Sequence, residues 1–205
     1  EQYHILRINR SIERLEKLGS SHRYPKGYIF DYREHSPDSI YYIKKGRIMA
    51  YEDTFNGEHR VYNIMRNGSL FLEEYVLFPK PCPILFETIT DSELLKINRC
   101  DLIRAFKSNI DIVLDILDSV CNKFCASMES QRIGAKQTAE WKLCRMLISD
   151  FENFGKPYKN GMLLKERVSH QMLADILGMN RVTVSRKFKK LRDLGLISQQ
   201  DGYLY

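Results

Sequence analysis

Between Asn180 and Lys190 long cationic donors stand among small hydroxyl and aliphatic side chains, in the run Arg181-Val182-Thr183-Val184-Ser185-Arg186-Lys187-Phe188-Lys189. On a helix, Val184, Phe188 and Leu191 share one face, and Arg181, Val182, Ser185, Arg186 and Lys189 fall on the other. That outward set suits the edges of base pairs. A guanidinium is a planar fork whose donors meet O6 and N7 of guanine together, whereas valine touches only apolar groups such as a thymine methyl. Ser169 and Thr183 stand near helix starts, where hydroxyls and unbonded backbone N–H groups hold phosphates, with His170, Gln171 and Asn180 close by in sequence. Ser/His/Asp and Cys/His groupings, metal-ligand spacings and phosphate-cradling glycine loops are absent from the sequence. No catalytic residue and no metal ligand is therefore assigned, and an enzyme is not expected.

Such a helix reads DNA only if its neighbours present it correctly. Ser169 is a good N-cap for a first short helix whose apolar face is Leu173, Ile176 and Leu177. Ala174 lets a second helix come close, and Gly178 permits the left-handed residue that ends the first. Ala174, Gly178 and Val184 have the spacing of a helix-turn-helix. Leu194 to Tyr205 reads as a hairpin turning at Asp201-Gly202, a wing beside the helix pair. A major groove about 12 Å wide accepts one such helix. Charge points the same way: the net charge is +6, and residues 137–205 hold 12 Lys/Arg against 7 Asp/Glu, while the first 136 hold 20 against 19. A solvated basic face, or a helix that docks on another protein, is the alternative for the same residues.

The chain has 205 residues, 43% hydrophobic and 28% charged, as a packed globular protein requires. No apolar run of about 18 residues is present, so no membrane span is expected. No signal-peptide pattern is seen, and five cysteines without a CxxC pair suit a reduced, cytoplasmic protein. Residues 24–99 carry strand signals. Ser39 to Glu52 is two β-branched and aromatic runs joined at Lys44-Lys45-Gly46, and Asn56-Gly57, Asn67-Gly68 and Asp91-Ser92 mark further turns. This pattern predicts an antiparallel sandwich or barrel, interrupted by a loop at Pro79, Pro81 and Pro83. The period then changes: Ile110, Val113, Leu114, Leu117, Val120, Cys121, Phe124, Cys125 and Met128 step by three and four. They predict a helix of about 25 residues, roughly 37 Å long. Its stripe either packs on its own domain or pairs with the same helix of a second subunit. After Gly134 a further helix carries Trp141, Cys144, Leu147, Ile148 and Phe151; Asn153 to Gly161 reads as a loop and Met162 to Lys165 as a short strand. The expected domains are 1–108, 109–136 for the long helix, and 137–205.

Over residues 24–205 the chain resembles the Crp/Fnr family of bacterial transcription regulators. The resemblance lies in "IYYIKKGRIMAY" for a β-roll hairpin, "MRNGSLFLEEYVLF" for a glycine-marked strand pair, the long helix from Ile110, and above all "VSHQMLADILGMNRVTVSRKFKKLRDLGLI". It implies an α+β fold: an N-terminal antiparallel β-roll (double-stranded β-helix), a long dimerisation helix, and a C-terminal winged helix-turn-helix. It further implies a homodimer on pseudo-palindromic double-stranded DNA. RNA polymerase is a further candidate partner, and a small-molecule effector is sensed between roll and helix. The dimer seam would be Ile110, Val113, Leu114, Leu117, Val120, Phe124 and Met128.

The departures from the family matter as much. Members that bind cyclic AMP have a Gly-Glu-Leu box and an Arg-Ser pair; here the box is Glu73-Glu74-Tyr75, and the pair falls on Ile84 and Leu85. A phosphate there would lack its countercharge and face Glu73. Cyclic AMP is not expected, and no cofactor is evident. The expected effector pocket comprises Phe71, Leu72, Glu73, Glu74, Tyr75, Ile84, Leu85, Phe86, Cys121 and Phe124, and its apolar members point to an apolar effector of unknown identity. A constitutive regulator with a vestigial pocket, or an effector-binding module acting through protein contacts, is the other reading. Iron–sulfur members carry early cysteines, and none precedes Cys82; His22, His35 and His59 offer no evident haem-ligand partner. Cys121 and Cys125 form either a thiol sensor or part of an apolar face. The family's reading helix often shows Arg-Glu-x-x-Ser/Gly-Arg; Arg181, Ser185 and Arg186 match, and Val182 replaces the glutamate. The half-site should differ from the family's usual one at that base pair.

Overall fold

A computed structural model describes residues 12–53, 59–134, 138–159, 161–167, 169–200 and 203–205. Described residues up to Ser130 and from Gln131 onward form two compact units. In the first, α1 (Ile12–Glu16) leads to β1 (Ser20–Tyr24), β2 (Ile29–Phe30), β3 (Ser39–Lys45), β4 (Ile48–Asp53), β5 (His59–Met65) and β6 (Leu70–Phe71). Then come α2 (Glu73–Leu77), β7 (Leu85–Thr88), β8 (Ser92–Asn98), α3 (Arg99–Ser108) and α4 (Ile110–Gly134). The strands form two antiparallel four-stranded sheets, ordered β1-β8-β3-β6 and β2-β7-β4-β5. β3 is buried along Ser39, Ile40, Tyr41, Tyr42 and Ile43, a continuous run that fits a strand covered on both faces. In the core the Phe30 ring lies tilted on Tyr41 at a centroid separation of 4.9 Å, and Tyr41, Phe71 and Phe86 stack at 5.1 Å and 5.2 Å.

The expected turns at Gly46 and Gly68 have φ of 112° and 92°, and the Gly46 N–H donates to Asn67 Oδ1 at 2.9 Å. Asp91 lies between β7 and β8, and Pro79, Pro81 and Pro83 lie outside the strands. The Asn56-Gly57 pair falls outside the described residues. Three short helices were not legible. α1 and α2 are too short to show a period, and α3 begins directly after β8, where Asn98 caps it by accepting from the Cys100 N–H at 2.8 Å.

α4 has two faces. Ile112 and Ile116 are buried against the roll core, and Arg14 of α1 reaches Asp111 at 2.9 Å and Asp115 at 3.2 Å. The stripe read from the sequence is not what packs there. Ile110, Leu114, Leu117, Phe124 and Met128 are 67%, 55%, 51%, 63% and 51% exposed. Cys121 and Cys125 are exposed too, and Val113 and Val120 are half-buried.

The second unit holds α5 (Ala139–Phe154), β9 (Gly155–Tyr158), β10 (Gly161–Arg167), α6 (His170–Leu177), α7 (Arg181–Asp193), β11 (Gln199–Gln200) and β12 (Tyr203–Leu204). Its sheet runs β11-β12-β10-β9. The stretch expected as a loop from Asn153 to Gly161 contains β9, and β10 extends beyond the expected Met162–Lys165. β9 tolerates Pro157 because it is an edge strand, where a missing N–H breaks no ladder. On α5, Leu143 and Leu147 are buried, while the expected Ile148 is 49% exposed. β11 and β12 pair as the expected wing; the Asp201-Gly202 turn lies outside the described residues.

A Cβ at Gly46 would overlap the Ser92 side chain as well as straining φ, whereas at Gly27 (φ 85°) it would meet open space. Gly46→Ala should therefore cost roughly 1–3 kcal/mol, and Gly27→Ala less. Urea unfolding should show the Gly46→Ala midpoint falling at unchanged slope. Equal midpoints for the two variants would remove the Ser92 overlap from the account.

Candidate nucleic-acid interface

Two caps and one turn present α7. Ser169 Oγ accepts from the Met172 N–H at 3.0 Å and starts α6; Gly178, at φ 60° and ψ 42°, ends it. Asn180 Oδ1 then accepts from the Val182 N–H at 2.8 Å and starts α7. Leu173 and Ala174 of α6 and Val184, Phe188 and Leu191 of α7 are buried in one core. Because that core takes every third or fourth residue of α7, the remaining face is left to solvent.

On that face Arg181, Arg186 and Lys189 are exposed, and Val182 is 61% exposed. Thr183 and Ser185 are half-buried. Ser185 Oγ and His170 Nδ1 are hydrogen-bonded at 2.9 Å, and the His170 ring lies 4.6 Å from that of Phe188. His170 therefore supports Ser185 from α6. Gln171 donates to Asp175 at 2.7 Å along its own helix.

Sequence reasoning missed Glu140. In the first turn of α5, it accepts from Lys187 at 2.9 Å and Lys190 at 2.8 Å, and these two lysines hold its carboxyl below the usual carboxylate range. Two of the cations on α7 thus turn back toward α5. Glu140 and Lys190 are 50 residues apart in sequence, and no local pattern joins them.

The expected effector position looks different from the reading of it. Phe71, Leu72 and Phe86 are buried in the roll core, with Ile84 and Tyr75 packed against it, and Leu85 is buried as well. Cys121 and Phe124 do not join them: they lie exposed on the other face of α4 from Ile112 and Ile116. Beside that core sits an ionic cluster. The Glu73 side chain is 0% exposed; its Oε1 accepts from Lys123 Nζ at 2.7 Å and Ser119 Oγ at 2.6 Å, and Glu74 Oε1 accepts from Lys123 at 3.1 Å. Burial works against charge on Lys123, but Glu73 and then Glu74 outweigh it and raise its pKa. Ser119 and Lys123 were missed because only the outer stripe of α4 was read. Ile112, Ile116, Ser119 and Lys123 step by four, three and four along the same helix. An open cavity of about 950 Å³, bordered by Arg14, Lys17, Lys96 and Arg104, shares no lining residue with this cluster. Among the described residues no group of His, Cys, Asp and Glu is placed to hold a metal, and no helix is long and apolar enough to cross a membrane.

Residues 21–109 match the family model of the cyclic nucleotide-binding domain, and residues 142–205 that of the Crp-like helix-turn-helix domain. A global nitrogen regulator of Nostoc sp. is 23% identical over 163 residues, which span 78% of this chain and 73% of that protein. An HTH-type transcriptional regulator ArcR of Staphylococcus epidermidis is 25% identical over 172 residues, spanning 83% and 74%. A CooA mutant from Carboxydothermus hydrogenoformans has the same fold: a TM-score of 0.81 over 99% of this chain and 92% of that one, at 14% identity.

His170 carries a pKa below the ordinary imidazole value, first through burial and then through the nearby Arg192 and Arg181 guanidiniums. A lowered folded-state pKa means that the fold prefers the neutral ring. Its contribution is complete above about pH 6.5, the unfolded value, and is lost as pH falls through the lowered one. The thermal midpoint of the second unit should thus decline below about pH 6.5. His170→Gln should flatten that part of the profile, and an unchanged slope would assign the decline to other groups.

Proposed function

We propose that this chain, a DNA-binding transcription regulator of the Crp/Fnr family, works as a homodimer joined along the outer face of α4 and reads a pseudo-palindrome with α7. The observation that carries the reading is the exposed group Arg181, Val182, Arg186 and Lys189 on a helix fixed by its own caps. In this reading Arg181 and Arg186 take guanine edges, Val182 meets a thymine methyl, and Lys189 holds phosphate. Half-sites lie about one helical turn apart, because a two-fold dimer presents one reading helix to each. RNA polymerase is the further partner of such a complex.

Two features support the dimer seam. Ile110, Leu114, Leu117, Cys121, Phe124 and Met128 step by four and three, the spacing of a two-stranded coiled coil, and all are exposed. Five large apolar side chains in one stripe exceed what a solitary helix leaves in water. Control does not run through a cyclic nucleotide: the Arg-Ser pair of cyclic-AMP-binding relatives falls on Ile84 and Leu85, and the nearby Glu73 and Glu74 already have their ammonium partner in Lys123.

Selection of random duplex DNA by the purified protein, with no ligand added, should return a two-fold symmetric motif. Affinity for it should fall linearly in log–log form with salt. Arg186→Ala should lose about 1–3 kcal/mol and relax one base position; an unchanged preferred sequence would take Arg186 out of base reading. Leu117→Glu, with a charge at the centre of the seam, should sediment as a monomer and bind the full site no better than a half-site. A dimeric Leu117→Glu protein would move the interface elsewhere.

A further inference from the structure

We infer that Glu73, Glu74 and Ser119 form a binding site for a primary ammonium group, which the chain fills itself with Lys123. The inference rests on the DNA-reading function proposed above, since occupancy of the site is read out as DNA affinity.

Four observations carry it. First, a carboxylate removed from water persists only when paired and hydrogen-bonded, and Glu73 has no exposed side-chain surface. Its Oε1 takes two donors, Lys123 Nζ at 2.7 Å and Ser119 Oγ at 2.6 Å. Second, the chemistry of the site has a sign. Two carboxylates meet one ammonium, and among the described residues Glu73 Oε2 is buried without a hydrogen-bond partner. Such a site repels phosphate and carboxylate and suits a nitrogen with several N–H donors. Third, its two halves come from different elements. Glu73 and Glu74 open α2, directly after Leu72, a leucine held at φ 71°. Ser119 and Lys123 lie on the face of α4 that also buries Ile112 and Ile116. A leucine stays left-handed only where its surroundings over-determine it, so the two carboxylates are aimed at α4 by the roll. Fourth, the occupant is tethered. Lys123 is 22% exposed along its side chain while its Nζ bridges both glutamates. A tethered ligand has a high effective concentration and needs none in solution.

The consequence is a regulator whose α4 is seated on the roll by its own ammonium, between the two elements where the family resemblance implies an effector. DNA binding by the unmodified chain is then independent of added ligand.

Lys123→Ala removes n-propylammonium from the site and leaves a good helix former behind. Two quantities are measured on the full chain, with and without n-propylammonium chloride. One is the thermal midpoint, and the other is affinity for the selected DNA site. Tetramethylammonium chloride, which has the charge but no N–H, is the control at equal ionic strength. Lys123→Ala should lower the thermal midpoint and weaken DNA binding by about five- to 150-fold, the usual range of coupling between sites. n-Propylammonium should restore both in a saturable way. Tetramethylammonium should restore neither, and the parent protein should respond to neither salt. The inference fails if Lys123→Ala matches the parent in both measurements. It also fails if Lys123→Ala is destabilised and n-propylammonium restores nothing, or if both salts act alike. A parent protein that selects no DNA would defeat the proposed function instead. The thermal response of Lys123→Ala to n-propylammonium would still decide the ammonium site.

Discussion

When the roll closes over Glu73, its carboxylate leaves water completely, and Lys123 and Ser119 of α4 replace the lost hydration. Removing one partner of such a pair strands the other at a cost on the order of 3–5 kcal/mol, comparable with the roughly 5–15 kcal/mol that holds a whole domain folded. The register of α4 against the roll is therefore not free to drift. With Ile112, Ile116, Ser119 and Lys123 turned inward, Ile110, Leu114, Leu117, Cys121, Phe124 and Met128 must turn outward. The proposed seam for a second copy and the seat for the roll are two sides of one helix, and the ion pair holds the register that sets both. Arg14, reaching Asp111 and Asp115, adds a second tie near the start of the same helix.

The second unit solves a different problem, which is to hold a cationic helix steady while leaving its face bare. Apolar contacts do this from beneath, through Val184, Phe188 and Leu191. Local hydrogen bonds do it at the ends, through Ser169 and Asn180, and Gly178 supplies the left-handed turn between the helices. Caps of this kind contribute about 1 kcal/mol each. His170 adds a contact to Ser185 from α6, so the small polar side chain among the arginines is positioned by a neighbouring helix.

Much of this was legible in the sequence because it is local. The Ser169 cap, the Gly178 turn and the inward triad of α7 follow from residue type and spacing over a few positions. The turns at Gly46 and Gly68 follow from residue type alone. What was not legible depends on partners far away in the chain. α4 bears two stripes, and the apolar one outshone Ile112-Ile116-Ser119-Lys123, whose last two members are polar and make sense only opposite Glu73. Phe124 and Cys121, expected at a pocket, belong instead to the exposed stripe. β9 was hidden by Gly155 and Pro157, residues that deny a strand unless it lies at an edge. Glu140 carries no local signal at all.

Glu140 bears on how fast such a protein finds its site. Nonspecific affinity for DNA grows with the number of phosphates neutralised, each adding nearly one unit to the salt slope. With Lys187 and Lys190 held by Glu140, the proposed function would have α7 meet an arbitrary duplex mainly through Arg181, Arg186 and Lys189. A weaker grip shortens each dwell on the wrong sequence, and a searching protein spends most of its time on wrong sequences. On the proposed function, a carboxylate that withholds two positive charges would exchange static affinity for mobility along the duplex.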